Sequence, residues 1–203
     1  MSPRRTAGAL FTLLAGAVML GCGSGHEPTP STAPAHVRPT TAAPVSPTAG
    51  PRPMAASKPV RVRIPSAAVD TGTVLELGLA ADGTIEVPSV AQADRIGWYA
   101  KGVTPGETGP AVLVGHFDTV KGPAVLRNVS RIRAGDIIGV SRADGTTARF
   151  RVREIEQVGK EAFPTKKVYG NTTHPELRLI TCGGDLTEGH RPDNIILYAD
   201  LVA

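Results

Sequence analysis

Cysteine is nearly absent from this chain: of 203 residues only Cys22 and Cys182 carry a thiol. Cys22 lies at the end of a leader, so no disulfide can form within the rest of the chain, and a disulfide-stapled scaffold is excluded. Aromatic residues are scarce as well, at 4% of the chain, and none falls between Gly23 and Pro59. That stretch holds half of the 18 prolines and is otherwise rich in Thr, Ala and Ser. It cannot bury enough apolar surface to offset its conformational entropy, so residues 23–59 are expected to form an extended, disordered tether. A hydrophobic run of comfortable membrane-spanning length, roughly 20 residues, is also missing.

The longest apolar run, Ala7 to Gly21, follows Arg4 and Arg5 and precedes Cys22, which is the pattern of an export signal. Gly21 and Gly23 permit cleavage, and Met19-Leu20-Gly21-Cys22 has the form of a lipoprotein processing site with Met in place of the usual Leu. Lipidation of Cys22, a conventional signal peptide and an uncleaved anchor all stay open for residues 1–22. Each places the remainder outside the cytoplasm, held at the outer face of the membrane through the N-terminus or released.

Charge of one sign is lacking in the remainder. Five of the 22 Lys and Arg lie before Pro59, as does one of the 18 Asp and Glu, which leaves 17 of each from Pro59 onward. The basic excess therefore belongs to leader and tether and gives no case for nucleic-acid binding. Neither a His-Glu-x-x-His segment nor a paired-cysteine knuckle occurs. A metal hydrolase built on His116 and Asp118 with His174, His190 or Cys182 thus has weak support.

Residues 60–203 fit one domain of ordinary size. Val60, Val62 and Ile64 alternate with Arg61 and Arg63, and Ala148, Phe150 and Val152 alternate with Arg149, Arg151 and Arg153. Leu75, Leu77 and Leu79 alternate before the Asp82-Gly83 turn, so all three segments read as half-exposed strands. Ala111-Val-Leu-Val114 and Ile195-Ile-Leu-Tyr198 are continuous apolar runs, as suits strands covered on both faces. Helical signal is sparse. Ser89 to Gln92 has capping-box spacing and predicts a short helix through Arg95, and Pro123 is placed to open a single turn. Many short strands and few helices predict an all-β barrel or sandwich.

Three strand ends carry chemistry: Gly115-His116-Phe117-Asp118, Thr181-Cys182-Gly183-Gly184 and Gly189-His190-Arg191-Pro192-Asp193-Asn194. They offer a base, a nucleophile and a cation. A thiol is mostly protonated near neutral pH, so a nucleophilic cysteine needs a neighbouring His or Arg. Attack on an amide leaves charge on the carbonyl oxygen that an arginine can stabilise. Each residue also has a plainer reading: Cys182 as a small buried apolar group, His116 as a structural histidine, and Arg191 as a solvated loop residue. Asp118 reads as a turn stabiliser or an orienter of His116, His174 and His190 as loop residues, His26 and His36 as tether, and Trp98 and Tyr99 as core or groove wall.

In this order the motifs resemble those of the sortases, and more narrowly the actinobacterial class F group. The resemblance is carried by Gly109-Pro-Ala-Val-Leu-Val-Gly-His-Phe-Asp118, Gly122-Pro-Ala-Val125, Lys160-Glu-Ala-Phe-Pro-Thr165, Val168-Tyr-Gly170, Leu177-Arg-Leu-Ile-Thr-Cys-Gly-Gly184 and Asp193-Asn-Ile-Ile-Leu-Tyr-Ala199. It implies a closed eight-stranded β-barrel with a few short helices, and cysteine transpeptidation of a Leu-Pro-x-Thr-Gly-like sorting signal. Cys182 would be the nucleophile, His116 the general acid and base, and Arg191 the oxyanion and substrate cation. Thr181 would add a hydroxyl contact, and Arg178, on the same strand face as Cys182, is the second candidate for the arginine because Pro192 separates Arg191 from Asp193. Partners would be surface proteins bearing such a signal and an amine acceptor such as a peptidoglycan precursor. The chemistry requires no cofactor or metal. Residues 158–176 would shape the substrate groove. A non-catalytic, tethered wall-binding module is the alternative.

Overall fold

The computed structural model describes residues 36–37, 40–41 and 51–202. Twelve strands are formed: β1 (Thr40–Thr41), β2 (Pro59–Ile64), β3 (Val69–Gly72), β4 (Leu75–Leu77), β5 (Ile96–Tyr99), β6 (Gly109–Gly115), β7 (Asp118–Thr119), β8 (Gly122–Pro123), β9 (Ile137–Arg142), β10 (Thr147–Gly159), β11 (Pro175–Gly183) and β12 (Asp193–Leu201). Nine of them hydrogen-bond in the order β3-β2-β9-β10-β12-β11-β6-β5-β4, with β1 added to β10 and β7-β8 a separate hairpin. The all-β expectation holds. The count is nine rather than eight, and among the described residues no ladder joins β3 to β4, so the sheet curls into a barrel without full hydrogen-bonded closure.

Two apolar clusters explain the curl. Val62, Ile64, Leu113, Phe150, Leu179 and Leu197 fill the concave side, each fully out of solvent. Val112, Val114, Ile180, Ile196 and Tyr198 face the convex side, where Leu77 and Val168 cover them. Strands β6 and β12 are therefore buried on both faces, as their unbroken apolar runs predict. On β10, Ala148, Phe150 and Val152 point inward as the alternation requires. A register shift between Val152 and Glu154 then changes the phase, and Ile155 becomes the next inward residue. A second shift, in the pairing of Pro59 and Arg61 with β9, accounts for Val60, which is 42% exposed although the alternation places it with Val62.

Helices are few and short among the described residues, as expected. Ser89 precedes only a 3-10 turn, Val90–Gln92, and its hydroxyl bonds the Gln92 side chain at 3.0 Å rather than a backbone N–H. Pro123 opens no turn: it pairs with Asp118 in the β7-β8 hairpin. The one α-helix among the described residues, α1 (Thr165–Tyr169), lies in a stretch with no helical pattern. At five residues it cannot hold by propensity. It is pinned by Val168, inserted into the convex cluster, and by Lys167, which reaches Glu154 at 2.6 Å and Glu156 at 2.8 Å. It ends where the backbone turns extended at Gly170, a position that requires glycine because a Cβ there would lie 2.3 Å from the Lys166 carbonyl oxygen.

The folded unit also takes in residues before Val60, within the stretch expected to be a disordered tether. Met54 N–H donates to the Gly106 carbonyl at 2.8 Å, Ser57 N–H to Thr104 Oγ1 at 3.0 Å, and the Arg142 guanidinium bonds the Ala55 carbonyl. Farther upstream, Val37 is 7% exposed in the concave cluster, and Thr40 and Thr41 pair with Ile155 and Glu154. The leader, including Cys22, lies outside the described residues. Among the described residues no helix is long and apolar enough to cross a membrane.

Candidate active site

Strand topology brings the three motifs together. β6 and β11 run parallel, and their ladder ends with Ile180 opposite Val114. Two residues farther along each strand stand Cys182 and His116, so both emerge at the same end of the barrel. β12 runs antiparallel to β11 with Asn194 opposite Cys182, which delivers the preceding loop and Arg191 to that end as well. A cleft of about 560 Å³ results, lined by Cys182, His116, Arg191, Asp118, Lys160 and His190. Its rim is apolar, formed by Val90, Val120 and Leu186, which are 42%, 91% and 48% exposed.

The His116 and Arg191 side chains are each fixed by a nameable contact. Cys182 is half-buried and unpaired with any other cysteine. His116 Nε2 lies 2.6 Å from the Pro88 carbonyl oxygen. A carbonyl only accepts, so Nε2 carries the proton and Nδ1 is the nitrogen left for chemistry. Arg191 is 7% exposed and clamped on three sides. Nε donates to Asp118 Oδ1 and Oδ2 at 3.1 and 3.0 Å, Nη2 to Oδ2 at 2.5 Å, and Nη1 to the Gly184 carbonyl at 2.6 Å. The guanidinium also stacks on Phe117, 4.4 Å from the ring centroid. A guanidinium has five N–H groups, so one remains on each terminal nitrogen for a ligand.

Asp118 thus serves Arg191, a role its position beside His116 did not disclose. Pro192 disrupts nothing: it precedes the β12 ladder, where its missing N–H is not needed, and its carbonyl accepts the Lys160 N–H at 3.0 Å. Gly184, at φ +81°, lets that loop close, since a Cβ there would lie 3.0 Å from both Pro192 Cδ and Asp193 Oδ2.

The other two candidates are not brought to the cleft. Thr181 lies on the opposite face of β11 from Cys182, 3% exposed, with Oγ1 buried and without a hydrogen-bond partner among the described residues. Arg178 shares the face of Cys182 but stands four residues, roughly 13 Å, down the strand. It is 2% exposed, 2.6 Å from Glu176 Oε2, and 4.9 Å from the Tyr198 ring centroid. Burial opposes ionisation of Glu176, but Arg178 and Arg153 outweigh it and hold the carboxyl below its ordinary value of 4.5. Burial and the Glu156 carboxylate push the Tyr198 hydroxyl upward.

His174 is also remote from the cleft, grouped with Glu176 and Asp200. Those three offer metal-capable atoms within 4.8 Å of one another, yet Arg153 and Arg178 already occupy the carboxylates. Of residues 158–176, the expected groove segment, only Lys160 lines the cleft; Phe163 and Val168 cover the convex cluster instead.

A family model of the sortase domain matches residues 62–202. The chain belongs to the sortase family. Its fold is similar to that of Clostridium perfringens sortase D5, a transpeptidase, at 21% identity over 72% of this chain and 79% of that one, with a TM-score of 0.54. Sortase C-1 of Actinomyces oris matches at 22% identity over 72% and 76% of the two chains, TM-score 0.52. A lid mutant of Corynebacterium diphtheriae sortase A matches at 17% identity over 71% and 70%, TM-score 0.53. No curated protein matches the chain.

Proposed function

We propose that this protein is an extracytoplasmic, class F-like cysteine transpeptidase that cleaves a Leu-Pro-x-Thr-Gly-like sorting signal between Thr and Gly and transfers the acyl half to an amine. The observation that carries this reading is the convergence of Cys182, His116 and Arg191 on one cleft. The Cys182 thiolate attacks the Thr carbonyl carbon, and the negative charge that develops on the carbonyl oxygen is met by the free N–H groups of Arg191. Collapse of this adduct breaks the Thr–Gly bond, the proton that His116 Nδ1 took from the Cys182 thiol passes to the departing Gly amine, and a thioacyl enzyme remains. An incoming amine loses a proton to His116, attacks the thioester, and releases the Cys182 thiolate. No step calls for a metal or cofactor. The substrates are surface proteins bearing the signal, the acceptor is an amine such as that of a peptidoglycan precursor, and the N-terminus holds the enzyme at the outer face of the membrane.

The test is mass spectrometry of the full-length protein incubated with a Leu-Pro-x-Thr-Gly peptide and an amine, beside Cys182→Ala and His116→Ala. Cleavage after Thr with the amine attached, lost in both variants, is the expected result. An intact peptide together with a Cys182 that resists alkylation in the folded protein would leave a non-catalytic, tethered wall-binding module as the better description.

A further inference from the structure

The cleft contains one more cation than it uses. Arg191 and Lys160 both line it, and Asp118 is its one carboxylate. Asp118 is fully engaged by Arg191 through Nε and Nη2. Of the acids just outside the lining, Asp193 Oδ2 accepts from Gln157 at 2.7 Å and Asp185 Oδ1 lies 2.8 Å from His36 Nε2, whereas Glu161 and Glu188 are exposed to solvent beside the lining residues Lys160 and Gly189. Among the described residues no acidic side chain pairs with Lys160. Its backbone is nevertheless held firmly, since its N–H donates to the carbonyl of Pro192, the residue next to Arg191, and a 3-10 turn (Lys160–Ala162) begins there. Its ammonium is therefore tethered at a fixed root beside the reacting groups and free at its tip. A concave site with surplus charge of one sign concentrates ligands of the other sign.

We propose that Lys160 forms a carboxylate-binding subsite, so that the preferred substrate carries an acidic group within reach of Cys182. This rests on the function proposed above for the same cleft. The carboxylate has two sources, the sorting peptide or the acceptor amine, and the chemistry at Lys160 is the same for both.

The experiment uses the full-length protein with Cys182→Ala, so that binding is read without turnover. Labelled Leu-Pro-Glu-Thr-Gly and Leu-Pro-Gln-Thr-Gly peptides are compared by fluorescence anisotropy, as are peptides with Glu or Gln directly after the Gly. The acceptor arm compares glycylglycine with its C-terminal amide as competitors for the labelled peptide. The expected result is a roughly three- to tenfold tighter Kd for the acid member of one pair. That preference should shrink as salt rises from about 0.05 to 0.5 M, vanish in Lys160→Gln, and reverse in Lys160→Glu. Equal affinities for acid and amide in every pair, a preference that persists in Lys160→Gln, or no binding of any probe would each overturn it. A charge preference that depends on Lys160, together with no turnover by the wild-type protein, would instead keep the subsite and reject the transpeptidase reading.

Discussion

Two buried arginines, each paired with a carboxylate and stacked on a ring, sit at opposite ends of the same part of the barrel. Arg178 joins Glu176 and lies over Tyr198; Arg191 joins Asp118 and lies over Phe117. By contact type they are nearly twins. They differ in what lies on the far side of the guanidinium: for Arg178 it is packed protein under α1, and for Arg191 it is the cleft with Cys182. A buried ion pair enclosed by protein matters chiefly because either half alone would be an uncompensated charge. One that opens on a cleft keeps N–H groups aimed at a ligand, and its carboxylate acts by holding those donors in place. Asp118 is on these grounds a positioning residue.

The sharpest break between the two pairs should come from Arg191→Ala, with kcat/KM lower by roughly 10²–10³-fold in the peptide cleavage assay and only a modest change in thermal midpoint. Next is Glu176→Gln, which strands the buried Arg178 charge. Denaturant titration should show a loss of about 3–5 kcal/mol, while kcat per folded molecule stays unchanged. Adding Arg178→Met to that variant should recover most of the loss, because no buried charge at that position is then left alone.

Asp118→Asn keeps the shape of the site but removes the charge that clamps Arg191. A charge-assisted hydrogen bond of about 1.5–3 kcal/mol corresponds to a fall in kcat of roughly 10- to 100-fold. Asp118→Glu should restore part of it, which a role in hairpin stability alone would not predict. The smallest effect is pH-dependent stability. Glu176 titrates below its ordinary value of 4.5 in the fold, so its contribution is complete above that value and is lost as pH falls through the depressed one. Thermal midpoints recorded from about pH 6 down to pH 2.5 should show this component in the wild type and lack it in Glu176→Gln.

Sequence pattern exposed the cleft better than it exposed its supports. Cys182, His116 and Arg191 were legible because each stands next to a strand whose apolar run is plain. Period-2 alternation, however, tells only which face a side chain takes. It placed Arg178 on the face of Cys182 without saying that this face is roofed by Val168 and Leu77, and it set Val60 beside Val62 because a bulge leaves no mark in hydropathy. The same parity already separates Thr181 from Cys182, neighbours in sequence and back to back in the sheet. Asp118 was read through its nearest neighbour His116, whereas its partner lies 73 positions later in the chain. Helix α1 was invisible because the convex cluster around Val168 and the ion pairs of Lys167 with β10 hold it, with no periodicity of its own.

The docking of Val37 and Thr40–Thr41 onto the barrel moves the point at which the chain leaves the folded unit. For a chain held at Cys22, a free tether running to Val60 would let the barrel roam roughly 130 Å from its attachment point when fully drawn out. With His36 bonded to Asp185 and Val37 seated in the core, a chain held at Cys22 would have only the residues up to His36 to span that gap, and these cover at most roughly 50 Å. Asp185, which meets His36 at 2.8 Å, stands on the loop that carries Arg191, so a pull on a chain anchored upstream of His36 would arrive first at the mouth of the cleft.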